Sequence, residues 1–180
     1  YDRGQGVIHQ LMYEKHKAEP GELVVIADSH TCTCGGYGAI GIGVGSTEAA
    51  AAMATGTLDL EVPAVVQVYL TGKLKANVFG KDLILQLGQI FGTDYLTDKG
   101  LLLTGPGIGE LSVEERMTVC NMGTELGSMI TLFGTEEKES DVEETRELNL
   151  DDLVPKVARP FSPANVCDVR EIAGMPITQV

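Results

Sequence analysis

Positive charge is scarce in this 180-residue chain: 13 Lys and Arg stand against 26 Asp and Glu, for a net charge of −13. Nucleic acids and anionic membranes recruit proteins through clustered basic residues, so neither fits as a partner. A small anionic substrate still does, because a local site can oppose the overall field. Long apolar runs are missing too. The longest, such as Leu23–Ala27 and Val62–Val68, fall far short of the roughly 20 residues that span a bilayer. There is no disulfide framework: Cys32, Cys34, Cys120 and Cys167 follow no such spacing, and Cys32 and Cys34 are too close to bridge comfortably. Reduced thiols in a cytoplasmic protein are the reading they support. Tryptophan is absent, and no signal-peptide pattern is visible.

What is present suits a folded α/β chain. Apolar residues make up 43% of the sequence, enough for a core, and the length fits one domain or pieces of two. Tyr1-Asp2-Arg3-Gly4 reads as mid-domain sequence, so an internal piece of a longer protein is expected. Gly6–Tyr13 has helical spacing. Leu23-Val24-Val25-Ile26-Ala27 is a continuous β-branched run, the mark of a strand buried on both faces. After a Gly-rich stretch, Gly35 to Gly45, Ser46 can cap a helix that Gly56 stops. Ala64–Thr71 reads as a strand, Lys81–Ile90 as a helix, and Gly100–Gly109 as a strand running into a Gly/Pro turn. Ser112 with Glu115 forms a capping box. The acidic stretch Glu136–Asp152 reads as a solvated linker or surface helix, and Ile177–Val180 as the start of a strand.

Four features carry potential chemistry. Asp28-Ser29-His30-Thr31 follows the β-branched run, and ligands of α/β sheets collect at that end of a strand. The alternative is a polar turn capped by Asp28. His9 lies within the apolar turn Val7–Leu11, where a lone histidine is more often a core residue unless a carboxylate partners it. Asn121 and Glu125 stand four apart on the capped helix, hence on one face, among Met117, Cys120, Leu126 and other apolar residues. A Glu buried there needs a partner; on an exposed stripe it does not.

The fourth is Gly36-Tyr37-Gly38-Ala39-Ile40-Gly41, which matches G-x-G-x-x-G, with Asp59 about twenty residues beyond. A dinucleotide site needs the first glycine directly after the strand and a helix opening within the motif. Here Asp28 to Cys34 intervene, and the helix signal begins only at Ser46. The glycines are better read as letting backbone pass close to a buried site. Cys32-Thr33-Cys34, without a second pair, makes a poor metal site, and no metal ligand is assigned in this chain.

Taken together, these residues resemble the aconitase and isopropylmalate dehydratase superfamily. The resemblance runs through Gly6-Val7-Ile8-His9-Gln10, Ala27-Asp28-Ser29-His30-Thr31, Gly41-Ile42-Gly43-Val44-Gly45, Leu70-Thr71-Gly72-Lys73-Leu74, Lys81-Asp82-Leu83-Ile84-Leu85 and Met117-Thr118-Val119-Cys120-Asn121-Met122-Gly123. It implies a hydro-lyase that isomerises a hydroxy di- or tricarboxylic acid with a four-iron–four-sulfur (4Fe-4S) cluster. It also implies that His9 pairs with Asp28 and His30 with Glu125, all four catalytic, and that Ser29 and Asn121 contact substrate or the cluster's water. The cluster cysteines, a serine base and the substrate-binding arginines are implied to lie outside residues 1–180, which leaves a partial pocket without activity of its own. The swivelling domain can belong to a separate small subunit.

Within the family, Ala27–Thr33 and Ser112–Asn121 resemble the isopropylmalate dehydratase and homoaconitase large subunits, with aconitate hydratase proper as the alternative. A dinucleotide-binding module and a non-catalytic paralogue are the readings from other classes. The expected fold is α/β, aconitase-like, with parallel or mixed sheets flanked by helices. Residues 1–62 would end a first domain, 63–147 form a second, and 148–180 connect to a truncated third.

Overall fold

Leu23–Ile26 forms strand β1, preceded by helix α1 (Ile8–Glu14) and followed by a 3₁₀ segment, Ser29–Tyr37. The structure, a computed structural model, describes residues 2–179. The Gly-rich stretch returns as β2 (Ile40–Gly43), parallel to β1 with Val24 opposite Gly41. Helix α2 (Ser46–Thr55) follows; its N-cap is Gly45 rather than Ser46, and Gly56 ends it in the left-handed region. β1 differs from expectation. Among the described residues β2 is its one neighbour, so Leu23 is exposed and only Val24 is buried.

The rest builds on a four-stranded parallel sheet. Its strands are β3 (Ala64–Thr71), β4 (Lys99–Thr104), β5 (Ile130–Phe133) and β6 (Glu144–Asn149), in the order β5-β4-β3-β6. Val66 and Val68 lie opposite Leu101 and Leu103, and this face carries the core. Helix α3 (Gly80–Phe91) lays Leu83, Ile84 and Leu87 against it, and α4 (Val113–Asn121) adds Val119. Each fully buried side chain of this kind contributes about 1.5–3 kcal/mol. Asp82 closes the start of α3, accepting from the Phe79 amide at 2.9 Å. It also accepts from the Lys156 amide at 2.8 Å, which docks the antiparallel pair β7 (Lys156–Ala158) and β8 (Val166–Asp168).

Three expectations are corrected here. Glu136–Asp152 is neither a linker nor a helix throughout, because Glu144–Asn149 is the edge strand β6. Its alternate residues are half-buried, and Arg146 lies over the Phe91 and Tyr95 rings while bonding Glu144 at 2.6 Å. Charge and stacking hold this strand, so apolar periodicity does not reveal it. Helix α4 stops at Asn121, and Glu125 lies on a separate 3₁₀ turn, Thr124–Leu126. Gly123 lets the chain turn there against β5: a Cβ on it would sit 2.0 Å from Thr131 Oγ1. Finally, residues 177–179 form no strand, since nothing pairs with them among the described residues, and Val180 lies outside those residues.

Candidate active site

The site is assembled where β1 gives way to the 3₁₀ segment. Asp28 is the N-cap residue of that segment, and its Oδ1 accepts from the His30 amide at 2.8 Å. The same oxygen accepts from His9 Nε2 at 3.0 Å. Two donors converging on one oxygen fix the carboxylate although its side chain is 44% exposed. His9, by contrast, is buried on the inner face of α1. Its Nδ1 is enclosed and has no hydrogen-bond partner among the described residues. A carboxylate held ionised needs a donor, so a neutral His9 carries its proton on Nε2 and presents a lone pair at Nδ1. A buried nitrogen left unpaired costs about 1–3 kcal/mol, and such a cost is commonly found where a ligand or water completes the site.

The second pair spans the two sheets. His30 Nε2 lies 3.3 Å from Glu125 Oε1, and Ser29 Oγ lies 3.3 Å from His30 Nδ1. The shared buried face expected for Asn121 and Glu125 is absent. Glu125 is exposed, because the chain turns at Gly123 before reaching it. Asn121 instead donates from Nδ2 to Thr33 Oγ1 at 2.9 Å. His9, Thr33, Met117 and Asn121 line one open cleft of about 660 Å³. Asp28, Ser29 and Glu125 are exposed and His30 half-buried, so the four paired groups do not all face that concavity. Thr33 is the residue that sequence reasoning missed; its only signal was a position three after His30, where a hydroxyl can reach back to a carbonyl.

The glycines work by close approach. A Cβ on Gly36 would lie 2.4 Å from the Met117 nitrogen, and one on Gly41 1.9 Å from the Thr31 carbonyl oxygen. Gly36 and Gly38 sit at the end of the 3₁₀ segment, ahead of a strand, and α2 begins only after β2. The dinucleotide-binding reading is therefore overturned: the motif forms no phosphate nest at a helix N-terminus.

Burial pushes the Cys32 thiol up to about 11 and raises Cys34 and Cys120 as well. Burial therefore keeps these three as thiols at neutral pH. Asp28 moves the other way. The His9 hydrogen bond, then the His30 amide, lower its pKa below the ordinary 3.8. A lowered folded-state pKa means stabilisation that is present above the unfolded value and lost as pH falls through the folded one. In a carbon-detected NMR titration, the Asp28 midpoint is expected below 3.8 and is expected to rise in His9→Ala. An unchanged midpoint in that variant would show that His9 does not hold the carboxylate.

Comparison with known proteins identifies the family. The model of the aconitase family (aconitate hydratase) matches residues 1–142. The 3-isopropylmalate dehydratase large subunit 1 of Methanopyrus kandleri is 40% identical across all of this chain and 48% of its own length. The large subunit 2 of Archaeoglobus fulgidus is 38% identical across 98% of this chain and 47% of its own, and the Clostridium kluyveri large subunit 37% across 100% and 48%. The chain thus spans about half the length of the curated relatives it matches. With most of its residues covered by that family's model, and relatives of this identity along its whole length, the chain belongs to the aconitase family.

Proposed function

We propose that the intact protein is a hydro-lyase, the large subunit of a 3-isopropylmalate dehydratase, acting on a small hydroxy-dicarboxylate in the cytoplasm. The observation that carries this reading is the His9–Asp28 bond, beside an open cleft that His9, Asn121 and Thr33 line. Dehydration of a hydroxy acid needs a proton taken from the carbon beside a carboxylate and a proton given to the departing hydroxide. A histidine braced by a carboxylate can hold or release such a proton near neutral pH. His9 and His30 are the groups proposed to supply the proton to the departing hydroxide, with Asp28 and Glu125 bracing them. Ser29 and Asn121 are proposed to bind substrate. The names of the relatives support the substrate and a separate small subunit.

A 4Fe-4S cofactor of the intact enzyme is part of the same proposal, with its ligands outside residues 1–180. The division of the chain near residue 62 belongs to it too, supported by the separate β1–β2 and four-stranded sheets; the second unit then extends through β6 to Asn149.

The test is turnover by the purified intact large subunit combined with its small subunit. Dehydration of isopropylmalate is expected, followed as absorbance of the unsaturated acid. Turnover of citrate alone would move the protein to aconitate hydratase, and no turnover of either would make it a non-catalytic paralogue.

A further inference from the structure

Thr33 is buried in the 3₁₀ segment, and its hydroxyl serves two partners at once. Oγ1 donates to the His30 carbonyl at 2.6 Å and accepts from Asn121 Nδ2 at 2.9 Å. A hydroxyl has one proton. With that proton committed to His30, only lone pairs point at Asn121. Thr33 can therefore receive the amide NH2 and repels the amide oxygen, which turns Oδ1 of Asn121 away from it. No other hydrogen bond orients this side chain among the described residues. The preceding residue holds the main chain of the same asparagine, with Cys32 Sγ 3.7 Å from the Asn121 carbonyl oxygen. Asn121 is the last residue of α4, so its amide has no helical neighbour beyond it to settle which end faces the cleft.

We propose that Thr33 is a positioning residue: it decides which end of the Asn121 amide faces the cleft and ties that choice to the backbone of His30. The kinetic consequence rests on the hydro-lyase reading; the orientation of Asn121 does not. Thr33→Val keeps the shape and removes both donor and acceptor, while Thr33→Ser keeps the hydroxyl. In the intact enzyme, Thr33→Val is expected to lower kcat/KM roughly 10–100-fold, as loss of an orienting partner does. In an Asn121→Ala background the same change is expected to cost less than about 3-fold, because the group it orients is gone. Thr33→Ser should recover most of the loss. If the valine variant does not fold, Thr33→Ala carries the same two expectations. Losses that are additive in both backgrounds and follow the melting temperature would overturn the proposal, since a merely structural threonine behaves that way. A crystal structure of the Thr33→Val enzyme gives the readout free of activity. Asn121 is expected to leave its present rotamer there, and an unmoved side chain would also overturn the proposal. Absence of any turnover in the unmodified enzyme removes the hydro-lyase reading instead, and the Asn121 rotamer alone then decides the role of Thr33.

Discussion

Asp28→Asn in the intact enzyme is expected to lower kcat on the order of 10⁴-fold while the protein stays folded, the scale seen when a carboxylate that braces a catalytic histidine becomes an amide. The reason lies in how Asp28 is used. One oxygen accepts from both His9 Nε2 and the His30 amide, and the rest of the side chain is 44% exposed. An asparagine oxygen can still serve the backbone amide, so the 3₁₀ segment keeps its cap. What disappears is the negative charge, and with it the support for a proton on His9. The loss should therefore appear in kcat more than in the thermal midpoint. Asp28→Ala removes the cap as well, and should lower both. Full activity in Asp28→Asn would reduce the His9–Asp28 bond to a structural contact.

Gly35→Ala is expected to act on stability instead. A Cβ at Gly35 would lie 1.8 Å from the Thr131 carbonyl oxygen, which belongs to the backbone of β5. No rotamer change relieves a backbone clash, so either β5 or the 3₁₀ segment must move. Overpacking of this kind costs about 3 kcal/mol or more. For a chain of this size that corresponds to a melting temperature lowered by roughly 6–12 °C. Gly109 is the internal control: a Cβ there meets nothing within 4 Å. Gly109→Ala should change stability by no more than about 0.5 kcal/mol. Equal melting temperatures for the two variants would mean that the 3₁₀ segment does not rest on β5.

The sequence announced some of this molecule and concealed the rest for identifiable reasons. Ala64–Thr71 and Lys81–Ile90 were legible because apolar spacing and burial coincide in β3 and α3. Ser112 and Glu115 marked the start of α4, and both bonds of the capping box are made. Its end was not legible, because Met122, Leu126 and Met129 continue an apolar pattern past the turn at Gly123. β2 was hidden in Ile40-Gly41-Ile42-Gly43, whose glycines are there for close packing and weaken any strand signal. β6 was hidden because ion pairs and ring stacking hold it. At the site, the pairing of His9 with Asp28 and of His30 with Glu125 was foreseen through family resemblance, and spacing alone left each with a bland alternative. Thr33 escaped notice because its role depends on Asn121, 88 residues away, which no local pattern connects to it.

The most direct test of the site assignment is a crystal structure of the intact enzyme with a bound hydroxy-dicarboxylate. The ligand is expected against the cleft that His9 and Asn121 line, with an oxygen within about 3.2 Å of the His30 ring or Ser29, and with Asp28 and Glu125 still bonded to their histidines. A ligand bound away from both histidines would contradict the assignment even though membership of the family stands.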